Sequence, residues 1–358
     1  MKELVGSIHI HSNYSDGSGG IPAIGEAAKS AGLDYVIITD HNTFKPREDG
    51  LEGWNGSLMV IIGCEINDAQ NRNHYLILDN NNELPKHDNA LDYVHQITIS
   101  GGKGVVAHPD EEGGFVEELG AYPWTEWRTH EFQGMELWNQ MTEWKEGLTR
   151  WNKYWRLIHP RRYLRGPKPS TLARWDYLLQ QRKVIGIGGP DAHAVQYKLF
   201  GFIPVCIYPY KVDFKLIRTH VLVPENKEIW DSGKFPEKFE MCKHMLLSNL
   251  FYGQAFISNY YLGDARGFEF KIETPAGILG MGDQRDWDEK DCIASVSCPT
   301  GGTIHLIRNG KVYGILPAKQ TSFKIQESGV YRVEVYKKNK CWILSNPIWL
   351  QSWIPDKQ

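Results

Sequence analysis

The chain lacks a positive charge excess, a long apolar run and any paired-cysteine motif, and each absence narrows what it can be. Its 358 residues carry 40 Lys and Arg against 43 Asp and Glu, a net charge of −3. No basic field is there to recruit a nucleic-acid polymer. No stretch approaches the roughly 18 to 20 consecutive apolar residues that span a bilayer, so no membrane helix is expected. Met1-Lys2-Glu3-Leu4 runs straight into an apolar strand pattern. With no signal peptide ahead of that strand, the expected compartment is the cytoplasm, unless a leader has been removed. Cys64, Cys206, Cys242, Cys292, Cys298 and Cys341 are scattered and form no Cys-x-x-Cys. That pattern reads as free thiols, mostly buried, rather than a disulfide framework. Repeats and low-complexity tracts are also missing. The length fits two domains, or one large barrel with an appendage.

What the chain does have is histidine and carboxylate at the ends of apolar strands. Leu4 to Ile10 reads as a buried strand running into His9-Ile10-His11. Alternation along a strand would turn both imidazoles to one side. Asp16 follows in a turn, Ser15-Asp16-Gly17-Ser18-Gly19-Gly20. Ile21, Ile24, Ala28 and Ala31 have helical spacing, and Gly32 ends that helix. Val36-Ile37-Ile38 then leads to Thr39-Asp40-His41, and Leu58 to Ile66 contains Glu65. A short strand beginning at His74 faces the same rim only if it runs the opposite way. Val105-Val106-Ala107 ends on His108, and Val184 to Gly188 leads to Asp191-Ala192-His193. Chemistry at the C-terminal ends of strands is characteristic of barrel and doubly wound α/β folds.

The organisation expected from this pattern is a barrel over 1–210, interrupted by an insertion at about 110–168. That insertion is rich in Trp and contains one further strand, Gly134 to Asn139. Ser170 is expected to cap a helix through Leu172, Trp175, Leu178 and Leu179. A linking helical segment is expected over 211–264. From 265 to 358 the pattern turns all-β, with alternation at Phe268–Ile272 and Tyr331–Val335 and a hairpin at Asn309-Gly310. About ninety residues of short strands suggest a small sandwich.

His9, His11, Asp16, His41, Glu65, His74, His108, Asp191 and His193 make six imidazoles and three carboxylates from separate segments. Such ligands suit zinc, manganese or iron. They are too many for one ion and about right for two or three, with Glu65 as the bridging carboxylate. A bridged pair would turn water into a metal-bridging hydroxide, a nucleophile that needs no Ser, Cys or Lys.

His9-x-His11…Asp16, Thr39-Asp40-His41, Glu65, His74, Ala107-His108-Pro109 and Asp191-Ala192-His193 resemble the motif set of the PHP (polymerase and histidinol phosphatase) superfamily. The resemblance covers about residues 1–200. Tyr331-Arg332-Val333-Glu334-Val335 and Ser345-Asn346-Pro347-Ile348 resemble the C-terminal sheet of its CehA/McbA family. It implies a distorted (β/α)7 barrel with a C-terminal all-β sandwich-like domain, and a metal-dependent hydrolase acting most often on phosphoesters. It also implies a first metal on His9, His11, Glu65 and Asp191, a second on Glu65, His74 and His108, and a third on Asp16, His41 and His193. Asp40 would orient an imidazole, and Glu65, Asp191 and Asp40 would be the catalytic carboxylates. Pro190 departs from the small residue expected before Asp191.

The expected substrate is a small molecule carrying a phosphoester, and the sequence leaves the oligomeric state open. Arg128, Arg161, Arg165 and Lys198 are candidates to clamp the phosphate. A carbamate, ester or amide hydrolase is the alternative on the same centre, and apolar walls without converging Arg and Lys would favour it. A carbohydrate- or partner-binding protein with an incidental metal site is the remaining alternative. His130 and His159, in the insertion, could also reach the site. His87, His95, His220, His244 and His305 match no motif.

Overall fold

A computed structural model describes residues 1–80, 83–85, 88–115, 120–199, 202–226, 230, 236–288 and 291–351. His87 lies outside them. The chain is a mixed α/β protein with a large β-rich region. Its first strands are β1 (Lys2–Ile8), β2 (Tyr35–Ile38), β3 (Gly53–Asn55) and β4 (Leu58–Ile62). β1, β2 and β4 are parallel neighbours, with β3 antiparallel on the edge of β4. Val36, Ile37 and Ile38 are fully buried, which is what a continuous apolar run in a parallel sheet reads as. Each such side chain contributes about 1.5–3 kcal/mol of transfer free energy.

At Gly63 the chain passes from this sheet to a second one. A Cβ there would sit 2.5 Å from the Ile77 carbonyl oxygen, so only glycine allows the approach. The second sheet runs β5 (Cys64–Ile66), β6 (Tyr75–Asp79), β7 (Lys103–Val106), β8 (Gly134–Asn139) and β9 (Ile185–Gly189). β6 is antiparallel to both neighbours, and the remaining pairs are parallel. The condition set by the sequence is therefore met: β6 runs the other way, and His74 at its start reaches the rim. A single parallel bridge, Ile10 to Ala192, closes β9 back onto the end of β1. Its hydrogen bonds are His11 N–H to Ala192 O at 2.9 Å and Ala192 N–H to His9 O at 3.2 Å.

The helices between strands each bury one apolar face. Ile21–Ser30 turns Ile21, Ile24 and Ala28 inward. Ala90–Ile99 starts at Asn89, whose side chain accepts from Asp92 N–H, and buries Tyr93, Val94 and Ile97. Pro169–Leu179 begins one residue before Ser170, with Lys168 at the cap position, so Ser170 is not its cap. Pro169 fits because the first helical N–H has no partner to lose.

The segment 211–264, expected to be a helical link, carries two sheet strands as well as a helix. β10 (Val195–Leu199) and β11 (Ile203–Ile207) first form a separate hairpin. Then β12 (Ile217–Val223) pairs antiparallel with β1, and β13 (Ala255–Asn259) pairs with β12. The helix Pro236–Tyr252 between them packs Leu246, Leu247 and Leu250 into the core that holds Leu4, Ile8 and Met59.

The C-terminal strands are β14 (Glu269–Thr274), β15 (Gly277–Gly280), β16 (Gln284–Arg285), β17 (Cys292–Arg308), β18 (Lys311–Ile325), β19 (Gly329–Lys337), β20 (Lys340–Ser345) and β21 (Ile348–Leu350). Asn309 and Gly310, at φ 49° and 78°, turn the expected β17–β18 hairpin. β20 pairs with β13, so one sheet runs from β15 through β13, β12 and β1 to β3. The C-terminal strands therefore do not stand apart. Arg332 also reaches from β19 to Asp176, and Asn346 accepts from Gly186 N–H at 2.7 Å. All six cysteines are free, five of them buried and Cys206 half-buried. Among the described residues no helix is long and apolar enough to cross a membrane.

Candidate metal centre

The strand ends converge on Glu65. Its Oε2 lies 3.0 Å from His9 Nε2, 3.1 Å from His11 Nε2 and 3.6 Å from His41 Nδ1. Its Oε1 lies 2.7 Å from His74 Nδ1 and 3.2 Å from His108 Nε2. The two oxygens thus face different imidazoles. Asp191 Oδ1 stands 3.2, 3.3 and 3.4 Å from His9 Nε2, His11 Nε2 and His193 Nδ1. Asp16, more than half exposed, faces His11 Nδ1 and His193 Nε2 with one oxygen and His41 Nε2 with the other, at 3.3–3.6 Å. All nine sequence-designated side chains are brought together.

Four groups among them place their ligand atoms within 4.8 Å of one another: His9–His11–Asp191, His9–Glu65–His108, His41–Glu65–His74 and His11–Asp16–His41–His193. The groups share His9, His11 and His41 as well as Glu65, where the expected sites shared only Glu65. The His11 ring turns Nε2 toward Glu65 and Asp191 and Nδ1 toward Asp16.

The backbone is bent to deliver these groups. β1 stops at Ile8, and His9 sits at φ 71° rather than continuing the expected alternation. Asp191, behind Pro190, has φ 53°, and His108 has φ 24°. L-residues rarely adopt this left-handed region, and such strain concentrates at functional sites.

The donor set fits divalent cations. Both ring nitrogens of His11, Nδ1 of His41, Nε2 of His74, Nδ1 of His108 and Oδ1 of Asp191 are buried without a hydrogen-bond partner among the described residues. A buried polar atom left unpaired costs about 1–3 kcal/mol, and a shared cation would satisfy several at once. Burial alone would lower the imidazole pKa values. At His9 the Asp191, Glu136 and Glu65 carboxylates override it and hold the pKa well above the usual value. At His11 the Asp191 and Glu65 carboxylates override burial and raise it to about 10, and at His108 Glu111 and Glu65 raise it to about 9. His41 goes the other way: burial, only partly offset by Glu65, pushes it down to about 4. Glu65 and Asp191 are held well below the carboxylate range, because the surrounding imidazoles outweigh their burial. The cluster is thus poised to exchange protons for metal charge.

Asp40 does something other than orient an imidazole. It accepts from Ser12 N–H at 2.7 Å, Ser12 Oγ–H at 2.6 Å and Ser15 Oγ–H at 2.7 Å, fixing the loop that carries Asp16. The group that orients an imidazole is Glu136 on β8, unnoticed in the sequence. Its Oε1 is 3.0 Å from His9 Nδ1, and its Oε2 accepts from His108 N–H at 3.0 Å and Asn139 Nδ2–H at 2.9 Å. A charged residue inside the apolar run Gly134-Met135-Glu136-Leu137-Trp138 was the available signal.

Asp16, His41, Glu65, His74, His108, Asp191 and His193 line a cavity of about 480 Å³ together with Asn42, Asn67, Asp68, Asn71, Tyr122 and Lys145. Tyr122 stacks on His74 at 4.9 Å between ring centroids. The expected clamp residues stand elsewhere. Arg128 is exposed and pairs with Glu126, Arg161 lies over the Tyr261 ring, and Arg165 and Lys198 are exposed. None of the four lines the cavity. His130 is exposed and His159 packs edge-on against Trp155, away from it. The Trp cluster does not line it either: Trp124, Trp138 and Trp144 are core, and Trp151 is 90% exposed.

Residues 7–137 match the PHP domain family. The matched span holds His9 through His108 and Glu136, and stops before Asp191 and His193. No curated protein matches the chain. Among solved structures, a two-domain Bacteroides vulgatus protein containing a predicted PHP-like metal-dependent phosphoesterase is 14% identical, at TM-score 0.44, over 97% of this chain and 95% of its own. A presumed metal-dependent phosphoesterase from Bifidobacterium adolescentis is 15% identical at TM-score 0.30, covering 52% of this chain and 87% of its own. An amidohydrolase from Chromobacterium violaceum, with bound sulfate and no metal, is 14% identical at TM-score 0.31 with the same coverage. Likeness at this level defines neither fold nor reaction.

Proposed function

We propose that the chain is a metal-dependent hydrolase of phosphomonoesters or phosphodiesters, built on a ring of strands that we read as a distorted seven-stranded barrel of the CehA/McbA kind. The observation that carries the reading is Glu65, whose two oxygens face separate sets of imidazoles within 3.6 Å. His9, His11, Glu65 and Asp191 would hold one ion and Glu65, His74 and His108 a second. A third would sit among Asp16, His41 and His193, with His11 alongside. Zinc, manganese or iron suits these donors. Such ions, when bound, lower the pKa of water toward neutrality and neutralise phosphoryl charge.

The chain's own residues do the rest. Glu136 holds the His9 Nδ1 proton, leaving Nε2 free as a ligand. Asn139 ties Glu136 to Asp191, at 2.9 and 3.3 Å. Asp40 holds the loop of Asp16 in place. Lys145, on the cavity wall, supplies positive charge facing an anionic substrate. A carbamate, ester or amide hydrolase remains the second reading. It is favoured by the absence of arginine from the described cavity lining, since a phosphate site calls for converging basic groups.

The test is turnover of p-nitrophenyl phosphate, bis-p-nitrophenyl phosphate and p-nitrophenyl acetate by metal-loaded protein, beside Glu65→Gln. The phosphoester reading expects the phosphate esters to be cleaved at rates that fall by orders of magnitude in the variant. Cleavage of the acetate alone would replace it with the second reading.

A further inference from the structure

Lys145 has a setting that phosphate attraction alone does not account for. It lies in the last turn of the helix Gln140–Glu146, which follows β8 directly and is capped by Asn139. Its side chain is buried, with Nζ 2.5 Å from Glu111 Oε1 and 5.4 Å from the Tyr122 ring centroid. Glu111 is itself fixed. Thr142 Oγ1–H donates to it at 2.7 Å, Tyr122 N–H at 2.8 Å, and His108 Nδ1 lies 3.8 Å away. A buried ion pair adds little net stability, because desolvating both charges offsets their attraction. This one nevertheless stands in the cavity wall, beside His108, with its lysine on a short helix capped by Asn139. Among the described residues lining the cavity, Lys145 is the one lysine and arginine is absent.

We propose that Lys145, positioned by Glu111, is the proton donor to the leaving oxygen, which fits the site to phosphoesters of ordinary alcohols. The inference rests on the phosphoester reading above. In the step, the bond from phosphorus to the leaving oxygen breaks with its electron pair remaining on oxygen. Lys145 gives that oxygen a proton and becomes a neutral amine. Water supplies hydroxyl to phosphorus and releases its other proton to solvent, from which Lys145 is reprotonated. An ammonium is a far stronger acid than an alcohol, so the transfer to a departing alkoxide is downhill. A nitrophenolate leaves as a stable anion and needs no such proton.

The experiment compares kcat for glycerol phosphate and p-nitrophenyl phosphate in wild type, Lys145→Met, Lys145→Arg and the double variant Lys145→Met with Glu111→Gln. The double variant removes both buried charges and guards against unfolding by an unpaired Glu111. Metal content and melting temperature are read on every protein. General-acid catalysis is worth about 100- to 10,000-fold, so kcat for the glycerol ester should fall by that factor more than kcat for the nitrophenyl ester, which loses only the charge contribution both esters share. Arginine keeps the charge but does not give up its proton, so Lys145→Arg should show the same split. Equal losses on both esters, or recovery of glycerol phosphate turnover by arginine, would overturn the assignment and leave a charge role. A metal-loaded wild type that cleaves neither ester overturns the phosphoester reading, and this inference with it, in the wild-type arm alone.

Discussion

Glu136→Gln isolates the part of the centre that no ligand motif reveals. The carboxylate meets N–H donors on both sides: His9 Nδ1 at one oxygen, and His108 N–H and Asn139 Nδ2–H at the other. A glutamine has nearly the same shape but must turn its NH2 to one of these sides. Facing His9, it forces the imidazole to the other tautomer. That puts a proton on Nε2, the nitrogen 3.0 Å from Glu65 and 3.2 Å from Asp191, and blocks it as a ligand. Facing His108 and Asn139, it opposes two donors, and Asn139 cannot easily flip because its Oδ1 accepts from Thr142 N–H at 2.9 Å. Either arrangement forfeits hydrogen bonds to a charged group worth about 1.5–3 kcal/mol. Converted at about 1.4 kcal/mol per decade, that matches the roughly 10- to 100-fold loss in metal affinity typical of such partners. Calorimetric titration of zinc or manganese into chelator-stripped protein reads the difference directly. Equal affinity in wild type and Glu136→Gln would refute the reasoning, because the His9 tautomer would then not be under Glu136 control.

Two further predictions concern stability. His220 is buried between Glu3 and Ser258, at 2.6 and 2.7 Å, and stacks on Phe256. Burial, outweighing the pull of Glu3, holds its pKa below the usual imidazole value. The unfolded chain therefore takes up the proton first, and the stability this histidine contributes is present above about pH 6.5 and falls as pH drops through it. His220→Gln should flatten the slope of melting temperature between about pH 7 and 5, and identical slopes would contradict this. Arg332 pairs with Asp176 at 2.7 Å through two nitrogens and with Glu334 at 2.5 Å. Arg332→Met should cost about 3–5 kcal/mol in urea unfolding by leaving those carboxylates buried and unpaired, with metal content unchanged. A loss below about 1 kcal/mol would mean that water reaches the pair.

Most of the candidate ligands were legible because they sit next to a local signal, an apolar run that ends in His, Asp or Glu, whereas Asp16 stands in a glycine-rich turn. Their convergence follows from the rule that parallel strands present their C-terminal ends together. His74 shows the limit of that rule. Its side of the rim depended on β6 being antiparallel, a pairing no local pattern states. Glu136 and Lys145 were missed because their partners, His9 and Glu111, are distant in sequence, and a charge in an apolar run or helix carries no label for what it meets. The clamp candidates failed for a related reason: Arg161 and Lys198 are basic in sequence, but the chain directs them away from the cavity. The strands β12 and β13 inside the expected helical link went unread, because both are buried along almost their whole length instead of alternating. Only their pairing, with β1 on one side and β20 on the other, makes them the seam of one sheet.

Metal content is the most direct test of the central claim that these nine side chains form a multinuclear centre. Elemental analysis of protein purified without chelators should find two or three transition-metal ions per chain, and Glu65→Gln should carry at least one fewer at unchanged melting behaviour. A wild type with well under one ion per chain, and no uptake of zinc, manganese or iron on titration, would contradict it.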